Sequence, residues 1–160
     1  MSFRIGYGYD VHQLAAGEEL VIGGVVVPHD KGSVGHSDAD VLLHVICAAL
    51  LGALSLGDIG THFPDTDPAY KGIDSKILLR ETWEMVKSHG YGLSNVDCTV
   101  CLQKPKLKPH VPDMRSCIAD ILGVDVTQVG IKATTTEKLG FVGLEQGVSA
   151  HAVVLLERQS

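Results

Sequence analysis

The run Val41-Leu-Leu-His-Val-Ile-Cys-Ala-Ala-Leu-Leu51 constrains the chain more than any other segment. It is apolar almost all round, so a helix built from it has no solvent face and has to be buried. It does not suit a bilayer. Even extended to Leu56, the run is interrupted by His44 and Gly52 and falls short of the about 18 uncharged apolar residues that a span needs. Ser37-Asp-Ala-Asp40 precedes it, with Ser37 as the expected N-cap and an acid three positions on.

Such a helix needs cover, and the rest of the chain supplies it. Phe3 to Tyr9 reads as a first strand, and Leu20 to Val27 as a hairpin around Gly23-Gly24, a dipeptide that tolerates positive φ. Asp74 or Ser75 caps a second long helix that ends before Gly90, with Leu78, Thr82, Met85 and Val86 on its inner side. A strand over 95–103, a helix from about Pro112 to Leu122, and strands at Val129–Ala133 and Val148–Leu156 complete the order. Strands alternating with helices predict an α/β or α+β sandwich, one sheet with helices laid on it. No repeat, linker or low-complexity stretch divides the chain, and 160 residues fit one domain over 1–160.

Charge narrows the partners. Thirteen Lys+Arg against nineteen Asp+Glu leave a formal charge of −6, which argues against nucleic acid, because duplex affinity comes from basic residues neutralising phosphates. It also raises the question of how such a protein would hold an anionic substrate. Cys98-Thr-Val-Cys101 has the spacing of a redox or zinc pair, but it lies in a β-rich stretch where residues three apart point to opposite faces. Cys47 and Cys117 do not complete a four-thiolate site. The first residues, Met-Ser-Phe-Arg-Ile-Gly, lack a charged-then-apolar signal pattern, so a reducing cytoplasm is the expected compartment and no membrane is involved.

Several segments carry chemistry. In Asp10-Val-His12 the carboxylate and imidazole share a face if the first strand continues through them. His44 offers a third ligand from the apolar helix, and Asp40, four residues earlier, can accept from the ring nitrogen that a metal leaves free. One carboxylate and two imidazoles with a vacant fourth position form the pattern of a catalytic divalent site, zinc being the expected ion. A histidine in an apolar helix can equally be a satisfied core residue, and the pattern alone does not decide between the two. Thr134-Thr-Thr-Glu-Lys138 follows a strand directly, where hydroxyls and backbone N–H groups can hold phosphate and Glu137 can ligate Mg²⁺ or Mn²⁺; a Thr-rich edge with a helix cap fits as well. Phe63-Pro-Asp-Thr-Asp-Pro68 reads as a rigid turn, and His36 and Ser37 sit at the positive end of the buried helix. Lys104-Pro-Lys-Leu-Lys-Pro-His110 is the one basic cluster, stiffened by its prolines.

Taken in order, Gly6-Tyr-Gly-Tyr-Asp-Val-His12, Gly35-His-Ser-Asp-Ala-Asp-Val-Leu-Leu-His44, Leu56-Gly-Asp-Ile-Gly60, Phe63-Pro-Asp-Thr-Asp67 and Lys132-Ala-Thr-Thr-Thr-Glu-Lys-Leu-Gly-Phe-Val-Gly143 resemble the 2-C-methyl-D-erythritol 2,4-cyclodiphosphate synthases, from about residue 3 to residue 157. The resemblance implies a homotrimer of subunits that each carry a four-stranded mixed sheet with helices on one face, and active sites between subunits. It implies Asp10, His12 and His44 as transition-metal ligands, with Asp10 and His12 also against the substrate. His36 and Ser37 would meet the phosphates, and His36 and Thr135 would stabilise the transition state. Asp58, Ile59 and Gly60 would hold the ribose. Phe63, Pro64, Asp65, Thr66 and Asp67 would close over the erythritol end. Leu102, Gln103, Lys104, Pro105, Lys106, Leu107 and Lys108 would form the cytosine pocket. Thr134, Thr135, Thr136 and Glu137 would bind the diphosphate, with Glu137 on Mg²⁺ or Mn²⁺, and Phe141 would border the substrate.

The implied reaction is intramolecular. The 2-phosphate of 4-diphosphocytidyl-2-C-methyl-D-erythritol 2-phosphate attacks the β-phosphorus and CMP leaves. A metal phosphohydrolase acting on the same diphosphate is the alternative, and a non-catalytic ligand-binding trimer is a third reading, against which the intact Asp10, His12, His44 and Glu137 speak. One departure stands out: many relatives carry an Arg near Gly143 that meets an isoprenoid diphosphate on the trimer axis, and Leu144 occupies that place here. Weak or absent binding of such ligands is expected. Ala48, four positions after His44, likewise stands where some relatives carry an acid.

Overall fold

The computed structural model describes residues 2–160. Strand β1 (Phe3–Ala16), the hairpin β2 (Val21–Ile22) and β3 (Val25–Val26), and β4 (Lys31–Val34) lead into helix α1 (Val41–Ala53). The short α2 (Ile59–His62) and the longer α3 (Ser75–Ser88) precede β5 (Tyr91–Cys101). Then come α4 (Val111–Leu122), β6 (Val129–Thr134), the single turn α5 (Gly140–Gly143) and β7 (Gly147–Arg158). The main sheet runs β4-β1-β7-β5-β6, with only β5 and β6 parallel neighbours. It has five strands where four were expected. The additional one, β4, is a four-residue edge paired to the end of β1.

Alternation along β1 sets the layer structure. Gly6, Gly8, Asp10, His12 and Leu14 face the helices, and Phe3, Ile5, Tyr7, Tyr9 and Val11 stand exposed on the opposite face. On β7, Val148, Ala150, Ala152, Val154 and Leu156 point into the core. In β5 a bulge between Leu93 and Asn95 changes the inward positions from Tyr91 and Leu93 to Val96, Cys98 and Val100. The expected split of the cysteine pair follows: Cys98 is buried, Cys101 half-buried, and all four thiols are free. Burial pushes the Cys98 thiol up to about 12, which leaves it unreactive.

Helix α1 lies across β1 and β7 and is covered on its far side by α3. Ten of its thirteen residues are buried, as the apolar run requires. Its N-cap is Asp40, however, and not Ser37: the Asp40 carboxylate accepts from Leu43 N at 3.0 Å. Ser37 instead accepts from Ala39 N at 3.1 Å in the loop before the helix. The turn at Gly23-Gly24 has positive φ at both residues, the conformation this dipeptide favours. Strand β1 continues well beyond Tyr9, and the strand expected over 95–103 covers 91–101, so Leu102 and Gln103 belong to the following loop. Among the described residues no helix is long and apolar enough to cross a membrane.

Candidate metal centre and phosphate pockets

Continuation of β1 through Asp10 and His12 puts both side chains under the first turns of α1, where His44 comes down to meet them. His12 Nε2 lies 3.1 Å from His44 Nδ1, and Asp10 Oδ2 lies 2.9 Å from the first and 3.2 Å from the second. In a tetrahedral site with bonds of about 2.0–2.1 Å, neighbouring donor atoms stand about 3.3 Å apart. Two ring nitrogens and a carboxylate oxygen already occupy one face of such a tetrahedron. The donor set suits a divalent cation and leaves its fourth position toward the cavity.

The electrostatics agree. Burial opposes ionisation of Asp10, but hydrogen bonds from His12 and His44 outweigh it and hold the carboxyl well below the usual carboxylate range. Burial likewise disfavours charge on His12, and the Asp10 carboxylate overcomes it, raising the ring above its ordinary value. A cation would replace the proton that this cluster now attracts.

The support expected from Asp40 is different. Its buried carboxylate accepts from Gly23 N, Gly24 N and Leu43 N, at 2.9, 2.7 and 3.0 Å. It fastens the hairpin to the start of α1 and does not meet the His44 ring, because a capping side chain turns back over the helix N-terminus. Burial pushes Asp40 up to about 6 against those three donors. His44 Nε2 meets Ser75 Oγ at 2.8 Å and Ser37 Oγ at 3.2 Å. Ser75 and its partner Asp38 escaped sequence reasoning, since nothing in the spacing of 38, 44 and 75 signals that they meet.

A cavity of about 460 Å³ opens above the three donors. Its walls include His36, Ser37, Ala48, Asp58, Ile59, Gly60, Phe63, Asp65 and Tyr70. Most of the residues expected around ribose and erythritol therefore surround the metal donors. Pro64, Thr66 and Asp67 do not line it. Asp67 instead caps a short 3₁₀ turn through Ala69 N, and its carbonyl oxygen accepts from His36 Nε2 at 3.2 Å. Asp58 caps α2, and the Thr61 hydroxyl lowers its pKa.

The phosphate-type residues form a second, smaller pocket of about 140 Å³, lined by Leu102, Gln103, Pro105, Lys106, Leu107, Lys108, Ala133, Thr134 and Thr135. Lys104, Thr136 and Glu137 lie outside its walls. Glu137 and Lys138 both adopt positive φ, in a turn tied back by Glu137 N to Thr135 Oγ1 and Lys138 N to Gln103 Oε1, each at 3.3 Å. Phe141 stands partly exposed beyond it.

Register relates the two pockets. Val11 pairs with Ser149, Ser149 with Cys101, and Cys101 with Thr134, so both lie at the same end of the sheet. Three strand spacings, about 14 Å, separate β1 from β6. Within one chain His36 and Thr135, the expected transition-state pair, therefore line separate pockets and do not come together.

Comparison with known proteins places this arrangement. Residues 3–157 match the model of the YgbB family. A Bacillus cereus protein named 2-C-methyl-D-erythritol 2,4-cyclodiphosphate synthase is 57% identical over 157 residues, covering 98% of this chain and 99% of its own. The bifunctional IspDF of Campylobacter jejuni superposes with a TM-score of 0.94 at 41% identity, over 98% of this chain; the match spans 42% of that longer protein. IspF of Plasmodium falciparum, solved as a CDP complex, superposes with a TM-score of 0.88 at 33% identity, over 99% of this chain and 98% of that one. With sequence and fold in agreement along nearly its whole length, the chain belongs to the YgbB family.

Proposed function

We propose that the chain, acting as one domain over 1–160, cyclises 4-diphosphocytidyl-2-C-methyl-D-erythritol 2-phosphate. The products are 2-C-methyl-D-erythritol 2,4-cyclodiphosphate and CMP, and the reaction serves isoprenoid precursor synthesis. A 2-phosphate oxygen forms a bond to the β-phosphorus, the bond from that phosphorus to the bridging oxygen breaks, and the electron pair leaves with CMP. The observation that carries this reading is the convergence of Asp10, His12 and His44 on the floor of a cavity walled by Asp58–Gly60 and Phe63. The CDP complex of the Plasmodium falciparum relative supports a cytidine diphosphate substrate.

Closing the ring brings phosphates together. Two like charges about 4 Å apart repel by about 4 kcal/mol at an effective dielectric of 20, and several such pairs are involved. A chain of charge −6 has no basic surplus to cancel them. Asp10, His12 and His44 would hold a zinc-type ion and Glu137 would hold Mg²⁺ or Mn²⁺; bound there, the cations would supply that neutralisation and polarise the phosphorus. The chain's own residues orient the substrate. Thr134, Thr135, Thr136 and the Leu102–Lys108 loop hold the cytidine diphosphate end, and Asp58, Ile59 and Gly60 hold ribose. The 63–67 loop folds the erythritol back, while His36 and Ser37 donate to phosphate oxygens. Holding the ends in reacting geometry is worth up to about 7–11 kcal/mol.

The separation of the two pockets supports an active site completed by a second copy. An apolar face from Phe3 to Val11, with Val153 on β7, is exposed on the sheet side opposite the helices. Burying that face in a homotrimer would set the Leu102–Lys108 and Thr134–Thr135 pocket of one subunit against the metal cavity of the next. The acidic charge and the free thiols support a cytoplasmic enzyme that does not engage nucleic acid. Phosphorus-31 NMR of the reaction with zinc and magnesium present tests the reading. Cyclic diphosphate plus CMP is expected, and open monophosphates would identify a phosphohydrolase instead.

A further inference from the structure

The ring of His44 is held from behind by groups that the proposed chemistry does not use. Its Nε2 lies 2.8 Å from Ser75 Oγ, at the first residue of α3, and Ser75 Oγ lies 2.5 Å from Asp38 Oδ1. The other oxygen of Asp38 accepts Ser75 N–H at 3.1 Å, so the carboxylate grips Ser75 through both its backbone and its hydroxyl. Ser75 is fully buried, which excludes competing water.

Proton counting then fixes a direction. A serine hydroxyl has one proton, and an ionised carboxylate can only accept. Ser75 therefore donates to Asp38 and can only accept from His44, which requires a proton on Nε2 and, in the neutral ring that would bind a metal, leaves the lone pair on Nδ1. Nδ1 is the atom that faces His12 and Asp10. Ser37 Oγ, 3.2 Å from the same Nε2, imposes no such choice, because its own proton is uncommitted. We infer that Ser75 and Asp38 act as a positioning pair that fixes the tautomer and ring plane of His44 for metal binding, an inference that rests on the metal-ligand reading of Asp10, His12 and His44. The pair also links two loops: Asp38 N donates to Ile73 O at 3.1 Å, and Gly72 N to His36 O at 2.6 Å. The stretch at Gly72 and Ile73, which borders the cavity, is thus anchored to the residues behind His44.

Zinc titration of the full metal-free chain against a chromophoric chelator tests this, with nitrogen-15 NMR of the histidine rings as a second readout. The parent should bind one zinc per chain, lost in His44→Ala. Ser75→Ala should weaken zinc by about 10- to 100-fold and allow both His44 tautomers, while Ser75→Thr, which keeps the hydroxyl, should recover most of the affinity. If Ser75→Ala unfolds, Asp38→Asn should show the same loss, whereas Ser37→Ala should bind zinc as the parent does. Parent-like affinity and an unchanged tautomer in folded Ser75→Ala or Asp38→Asn would overturn the inference with the metal site intact. A parent chain that binds no zinc would overturn the metal reading itself.

Discussion

His12 Nε2 and His44 Nδ1 stand 3.1 Å apart because nothing but backbone separates the strand from the helix above it. A Cβ at Gly6 would run into the carbonyl oxygen of Ala49, and one at Gly8 into that of Val45. These two glycines let α1 settle onto β1, and that depth sets the distance between the imidazoles. Gly8→Ala should therefore cost about 3 kcal/mol, the upper end for overpacking, since the obstacle is backbone and cannot rotate away. Urea unfolding of the metal-free protein measures the loss. Zinc affinity should drop with it; a variant with parental stability and affinity would show that the close approach does not position the ligands.

The two cations should separate by mutation. His44→Ala removes one of the three proposed ligands and should abolish both the bound transition metal and turnover. Glu137→Gln should keep that metal while slowing turnover by about 10²–10³, the usual cost of losing one group that stabilises developing charge. Metal analysis of the purified variants alongside CMP release checks both. A His44→Ala protein with metal and rate intact would contradict the ligand set.

The pH dependence has a definite sign. His12, raised above its ordinary 6.5 by Asp10 in spite of burial, stabilises the metal-free protein below that value, and the contribution is lost as pH climbs through the raised one. Asp10 is depressed; its contribution is present above the ordinary 3.8 and disappears only as pH falls below it. A metal takes the unprotonated ring, so binding expels the proton on His12 and grows tighter as pH rises. The gap in Tm between zinc-loaded and metal-free protein should widen from about pH 6 to about pH 8. A gap that stays flat or narrows would contradict the coupling.

Leu144 is largely exposed at the end of α5, beside the partly exposed Phe141. A neutral side chain cannot pair with a diphosphate, so geranyl diphosphate should bind weakly if at all. Leu144→Arg should tighten it by at least about tenfold, as a charge-assisted contact is gained. Titration calorimetry on both proteins decides this, and micromolar binding by the parent would contradict it.

Local pattern made much of this legible. The apolar run announced a buried helix, the alternation in β1 placed Asp10 and His12 on one face, and Gly23-Gly24 announced its hairpin. Asp40 was misjudged because a residue four before a histidine shares its helix face only when it lies inside the helix, and Asp40 caps it. Ser75 and Asp38 were invisible because their meeting depends on how α3 docks beside the loop before α1, a tertiary contact with no signature in spacing. The division of the phosphate residues from the metal residues likewise follows from strand order, which places β7 and β5 between β1 and β6.

Diffraction from zinc-loaded crystals, recorded on both sides of the zinc absorption edge, addresses the metal centre most directly. One anomalous peak per chain is predicted, about 2.0–2.2 Å from His12 Nε2, His44 Nδ1 and an Asp10 carboxylate oxygen. A peak elsewhere, or imidazoles of His12 and His44 turned away from each other with no peak between them, would contradict it.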